Sequence, residues 1–98
     1  MPLAITRFTP TDYDHWYRVH VESVRLFRGE LTLISDVIYR DHDDPRAVVV
    51  IFEVESAEKF QAFLASPTFS DLVAEAKLEG DSTFWVIDKV EEVRLDAG

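Results

Sequence analysis

Two stretches of this chain, Ala47-Val48-Val49-Val50-Ile51-Phe52 and Phe84-Trp85-Val86-Ile87, contain no polar side chain. Side chains along a strand alternate between the two faces of its sheet, so a strand built from either stretch is apolar on both faces. Such a strand needs cover on both sides. Any fold for this chain must therefore cover one sheet twice.

The remaining sequence supplies only part of that cover. Leu3 to Phe8 reads as a first strand, ended by Thr9, Pro10 and Thr11. Thr11 or Asp12 can N-cap a helix, with Asp14 well placed in its first turn. Tyr13, Trp16, Tyr17, His20, Val24 and Phe27 follow at three- and four-residue steps and share one helix face. Arg25 and Arg28 suit the C-terminal end of the dipole, and Gly29 is the expected stop. Leu31 to Arg40 reads as a second strand, and Asp41-His42-Asp43-Asp44-Pro45 as the turn of a hairpin into the apolar stretch 47–52. Ser56 opens a second helical region with Phe60, Phe63 and Leu64 on its apolar face. Ser66-Pro67 forms an N-cap and N1 pair, which predicts a break and restart there. Phe69, Leu72, Val73 and Ala76 continue the stripe, and Gly80 is the expected end. Phe84 to Val90 reads as the last strand, with Leu95 as its outer limit.

The order β-α-β-β-α-β is the ferredoxin-like split βαβ pattern. Right-handed crossovers put both helical regions on one face of a four-stranded antiparallel sheet of order 4-1-3-2. The second face stays bare, and strand four lies on an edge where an apolar strand invites pairing. A second copy of the chain is the simplest cover. The expectation is a homodimer packed sheet on sheet, closing into a dimeric α+β barrel.

With 98 residues, the chain has the length of a single domain, expected to span residues 1–98. No apolar run approaches the roughly 18 residues of a membrane helix, and no solenoid repeat is visible. The opening MPLAITRFTP has no basic segment followed by an apolar one, so no secretory signal is expected. Absence of cysteine excludes disulfides, thiolate nucleophiles and cysteine-held metals, and fits a cytoplasmic location. Ten basic residues scattered among nineteen acids, a net charge of −9, disfavour nucleic acid as a partner. The same charge favours solubility.

These elements also carry a resemblance. Asp12-Tyr13-Asp14-His15-Trp16 opens the first helix, and Val37-Ile38-Tyr39-Arg40-Asp41 with Asp43-Asp44-Pro45 marks the hairpin. Val48 to Glu53, Phe63-Leu64-Ala65-Ser66-Pro67 and Phe84-Trp85 complete the set. Over nearly its whole length the chain resembles the dimeric α+β barrel superfamily, which includes antibiotic-biosynthesis monooxygenase-like proteins. Activities there include cofactor-free oxygenation of phenols and quinols, polyketide cyclisation, lactone isomerisation and haem degradation. The resemblance implies a ligand cleft between helices and sheet, no cofactor, and a small apolar or aromatic ligand. Two departures narrow it. The haem-degrading branch relies on an Asn, a Trp and a His on the second helix. This chain has no asparagine, and residues 57 to 80 hold no histidine. Some oxygenases of the group also use an Asn beside aromatic residues, so its absence weakens that assignment too.

His20 is the candidate catalytic residue. It shares the sheet-facing arc of helix one with Tyr and Trp, where an imidazole can take a proton from a phenol or an enolisable ketone. The competing reading is a core histidine bonded to a tyrosine hydroxyl or a carbonyl. His15, five residues earlier, falls on the solvent side, and the two cannot share a metal. The acids of 41–44 with His42 can in principle hold a cation, but a solvated turn explains them. No metal site is assigned. Trp16, Tyr39, Phe52, Phe69 and Trp85 are the candidate cleft walls, suited to a flat apolar ligand, unless they simply fill the core. Strand parity leaves open whether Tyr39 and Trp85 face the helices or a partner. Arg7, Asp36 and Glu53 also lie in strands, where a buried charge needs a partner. Three readings follow: a cofactor-free monooxygenase or a cyclase/isomerase, a non-catalytic small-molecule binder, and a structural dimer with a filled interior.

Overall fold

The computed structural model describes residues 1–96, so Ala97 and Gly98, the end of the expected domain, lie outside the described residues. Its elements are β1 (Leu3–Pro10), α1 (Tyr13–Leu31), β2 (Leu33–Arg40), β3 (Val48–Val54), α2 (Ala57–Leu64), α3 (Pro67–Ala76) and β4 (Leu78–Ile87). The strands form one antiparallel sheet of order β2-β3-β1-β4, as the element order predicts. All three helices cover the same face. Ala4, Phe8, Val48, Val50, Phe52 and Val54 point into that layer and meet Trp16 and Phe60 in the core.

The predicted break in the second helical region is present. Ser56 Oγ accepts the Lys59 N–H to cap α2, and Ser66 Oγ accepts the Phe69 N–H to cap α3. For α1 the cap is Asp12, whose Oδ1 accepts from the N–H groups of Asp14 at 3.0 Å and His15 at 3.3 Å. Thr11 instead joins β1 to the end of α3, because its N–H and its hydroxyl both donate to the Lys77 carbonyl, at 3.0 and 2.9 Å.

Both glycine stops are displaced, and for one reason. α1 runs past Gly29 to Leu31 and ends at Thr32, which adopts the left-handed conformation at φ 54°. Thr32 is latched to the start of α2: its hydroxyl accepts the Ser56 N–H at 3.0 Å, and its carbonyl accepts the Glu55 N–H at 2.9 Å. Likewise α3 ends at Lys77, left-handed at φ 55°, where Thr11 holds the carbonyl. Tertiary hydrogen bonds outweigh the glycine preference at both sites. Gly80 instead sits inside β4 at φ 70°, where the β1–β4 register shifts between Arg7 and Thr9. It supplies the backbone freedom an irregular strand needs. Consequently β4 starts at Leu78, not Phe84. It ends at Ile87, opposite Leu3, because β1 offers no partner beyond that pair.

A second irregularity governs the site. Leu33 pairs with Val54, but Ser35 pairs with Glu53, so Ile34 is an extra residue in β2. This bulge reverses the strand's phase. Without it, Val37 and Tyr39 would follow the buried Leu33 toward the helices. With it, Asp36 pairs with Phe52 and faces the helices, and Tyr39 pairs with Val49 and faces away.

Candidate functional site

Between the helices and the sheet lies a cavity of about 110 Å³. Phe52, Phe60 and Phe84 meet at its base, Trp16 and His20 come from α1, and Phe69 comes from α3. The rings interlock: Phe60 and Phe69 each meet Phe84 nearly edge-on, at centroid distances of 5.8 and 5.7 Å. Such pairs fix ring orientation as well as burying area. The Phe69, Leu72 and Val73 wall on α3 is only half-buried, so it is the least closed side.

His20 stands on the α1 wall, stacked on Trp16 at 4.9 Å and 24°, with Phe52 6.0 Å away. Its Nε2 lies 2.7 Å from Asp36 Oδ2, and the two side chains are only 11% and 20% exposed. A carboxylate only accepts, so the His20 tautomer that fits this contact donates a hydrogen bond from Nε2–H to Asp36, with Nδ1 as the ring's acceptor nitrogen. The arrangement is a histidine with its tautomer and plane set by an acid behind it, at the wall of an aromatic cavity.

Of the six candidate residues, His20, Trp16, Phe52 and Phe69 line this cavity together. Tyr39 and Trp85 do not: they lie on the opposite face of the sheet, 51% and 53% exposed. The β2 bulge turns Tyr39 away, and Trp85 sits opposite Ile5, an outward position of β1. Tyr13 and Tyr17, placed by periodicity on the buried arc, are also largely exposed, and Tyr13 receives Arg40 over its ring at 5.5 Å. His15 is not simply solvated. Its Nε2 is 2.7 Å from the Glu75 carbonyl, tying α1 to the end of α3. The acids of the hairpin turn are engaged locally. Asp41 accepts from the N–H groups of Asp43 and Asp44 and from Arg7, and Asp44 accepts from the Arg46 N–H. These bonds, the Asp43 N–H first, hold the Asp41 carboxyl below its ordinary value.

Asp36, flagged in the sequence only as a strand charge that needs a partner if buried, finds that partner in His20. One polar group of the site escapes sequence reasoning. Thr6 lines the cavity from the middle of β1, and its signal is weak: a hydroxyl in the inward series Ala4, Thr6, Phe8.

No protein-family model matches the sequence, and no curated protein matches it. Solved structures do. The chain is similar to an antibiotic biosynthesis monooxygenase, with 22% identity and a TM-score of 0.70 over 93% of this chain and 100% of the other. It is similar to SnoaB of Streptomyces nogalater, a cofactor-independent oxygenase, with 17% identity and a TM-score of 0.74 over 94% and 95% of the two chains. It is also similar to Rv0793 of Mycobacterium tuberculosis, with 20% identity and a TM-score of 0.66 over 96% and 100%. The chain thus has the ferredoxin-like α+β fold of the antibiotic biosynthesis monooxygenase-like proteins. Among the described residues no helix is long and apolar enough to cross a membrane.

Proposed function

We propose that this chain is a single-domain, cofactor-independent enzyme of the monooxygenase type, acting as a homodimer on a small aromatic molecule. The observation that carries the reading is the 2.7 Å contact between His20 and Asp36 at the wall of an aromatic cavity. With Asp36 holding Nε2–H, Nδ1 accepts the proton of a phenol, quinol or enol bound against Trp16 and Phe52. Loss of that proton enriches the ring in electrons, and dioxygen, the co-substrate, takes four of them. One oxygen atom bonds to a ring carbon and the other leaves as water with the two hydrogens lost, so that a quinol and O2 give a hydroxyquinone and H2O. The protein's part is to seat the ring, exclude water and hold one proton. The likeness to a cofactor-independent oxygenase supports the same chemistry. The chain's lack of cysteine supports a cytoplasmic location.

Dimerisation is supported by the uncovered sheet face. Val37, Ile51, Ile5 and Trp85 form one row across all four strands, each the register partner of the next. A row of this kind in water invites a second copy of itself.

A second reading is favoured by the cavity's size. At about 110 Å³ it is well below the several hundred typical of small-molecule sites. On this reading the interior is essentially filled and the chain is a structural dimer, with His20 and Asp36 a core pair.

Oxygen uptake with hydroquinone separates the two. The enzyme reading expects uptake above buffer, lowered at least about 100-fold in His20→Gln, the scale on which a general base contributes. In Asp36→Asn the ring loses its orienting carboxylate, and a fall of about 10-fold is expected. Wild-type uptake equal to buffer leaves the two non-catalytic readings, binder and structural dimer.

A further inference from the structure

Thr6 is 2% exposed, lines the cavity, and its Oγ1 has no hydrogen-bond partner among the described residues. A buried hydroxyl without a partner is a cost to folding, and valine would fill the same space without it. Nothing in the packing of β1 therefore requires threonine here. Its place relative to the histidine is set by the sheet. On the helix-covered face, Asp36 pairs with Phe52 and Phe52 with Ala4, while Thr6 is the next inward residue of β1 and pairs with Val50. Thr6 is thus two strands from Asp36, about 10 Å across the sheet, and displaced by about 7 Å along it. Thr6 pairs with Phe84 on its other side, so the hydroxyl sits within the aromatic floor, two strands across from Asp36.

We propose that the Thr6 hydroxyl donates a hydrogen bond to an oxygen of a ligand lying on the aromatic floor, across the sheet from His20. This rests on the cavity being the ligand site. His20 offers an acceptor, Nδ1, and Thr6 offers a donor. The ligand they fit is a flat molecule with a hydroxyl at one end and an oxygen acceptor at the other. Size limits it further. The volume is below the roughly 150 Å³ of an apolar cavity that accepts benzene, so the ligand enters by displacing the half-buried α3 wall. Among such ligands a one-ring quinol displaces that wall least.

Hydroquinone and 4-methylphenol test this, because they match in shape and differ only in the second oxygen. Their affinities are measured by calorimetry without oxygen, for the wild type and for Thr6→Val, Thr6→Ser and His20→Gln. Wild type is expected to prefer hydroquinone about tenfold, the effect of one buried hydrogen bond. In Thr6→Val the preference falls to within about twofold, affinity for 4-methylphenol holds, and the melting temperature does not fall. Thr6→Ser retains the preference. If Thr6→Val fails to fold, Thr6→Ala replaces it in the same comparison. A preference that survives loss of the hydroxyl overturns the proposal, as does failure of either ring to bind wild type at millimolar concentration. His20→Gln distinguishes the two inferences. If oxygen uptake depends on His20 but the preference ignores Thr6, the enzyme stands and Thr6 falls. If the preference depends on Thr6 and no uptake occurs, the Thr6 contact stands and the enzyme falls.

Discussion

On one face of the sheet Ala4, Phe8, Val48, Val50 and Phe52 are buried under α1, α2 and α3, while on the other Val37, Tyr39, Trp85 and Ile87 stand largely in solvent. Both faces come from the same strands, residue by residue in alternation, and both are rich in apolar side chains. They differ in their polar content. The covered face holds a histidine–carboxylate pair and an unpartnered threonine hydroxyl inside an aromatic layer. The open face carries its charges on either side of the apolar row: Arg7 on β1 bonds Asp41 beside the hairpin turn, and Glu53 on β3 sits opposite Leu3. Apolar surface alone is explained by packing, either within the chain or against a copy. Polar groups inside an apolar layer need partners: His20 and Asp36 supply one another, and Thr6 has none among the described residues. The proposed chemistry thus belongs to the covered face and the proposed association to the open one.

That division is broken most completely by charging the open face. Ile51 is the residue of the Val37–Ile51–Ile5–Trp85 row that belongs to β3, an interior strand. In Ile51→Glu, two unpaired carboxylates would be buried in a sheet-on-sheet dimer at a cost of several kcal/mol each. Light scattering is expected to show a monomer at micromolar concentration, with far-ultraviolet dichroism retained because the covered face is untouched. A dimer that persists would place the association elsewhere on the surface.

Emptying the covered face should act on stability instead. Phe60 is fully buried, with Phe52 and Phe84 at 5.7 and 5.8 Å. Phe60→Ala is expected to lower unfolding free energy by about 3–5 kcal/mol in denaturant titrations. A loss under about 1 kcal/mol would mean the aromatic layer is loosely packed and the cavity larger than it looks.

The smallest effect sits at the rim. Asp41 is held below its ordinary value of 3.8 by the Asp43 N–H, then the Asp44 N–H, then Arg7. A carboxyl lowered on folding adds stability above its unfolded pKa and loses it as pH falls through its folded one. Asp41→Asn should therefore melt slightly below wild type at pH 7, with the gap closing as pH drops below 3.8. A gap independent of pH would assign the loss to turn geometry rather than to charge.

Much of the fold was legible because it rests on local chemistry. The apolar stretch 47–52, the Ser66-Pro67 restart and the sheet-facing arc holding Trp16 and His20 follow from alternation, capping and the helical repeat. The helix ends were not. Gly29 and Gly80 carry the usual stop signal, yet Thr32 and Lys77 take the left-handed position because residues distant in sequence hold them there. The site was half legible. His20 could be placed on a face from its spacing, whereas its partner and the whereabouts of Tyr39 hinged on one inserted residue, Ile34.

The order of residues was thus enough to give one sheet apolar side chains on both faces and to supply helices for only one of them. Apolar runs within two strands have that effect wherever the strands lie. Which strand positions turned inward was settled by the pairing of the folded chain. A bulge in β2 reversed the phase of the residues that follow it, sending Asp36 to His20 and Tyr39 to the open face. Strand phase depends on how neighbours pair rather than on the residues of one strand.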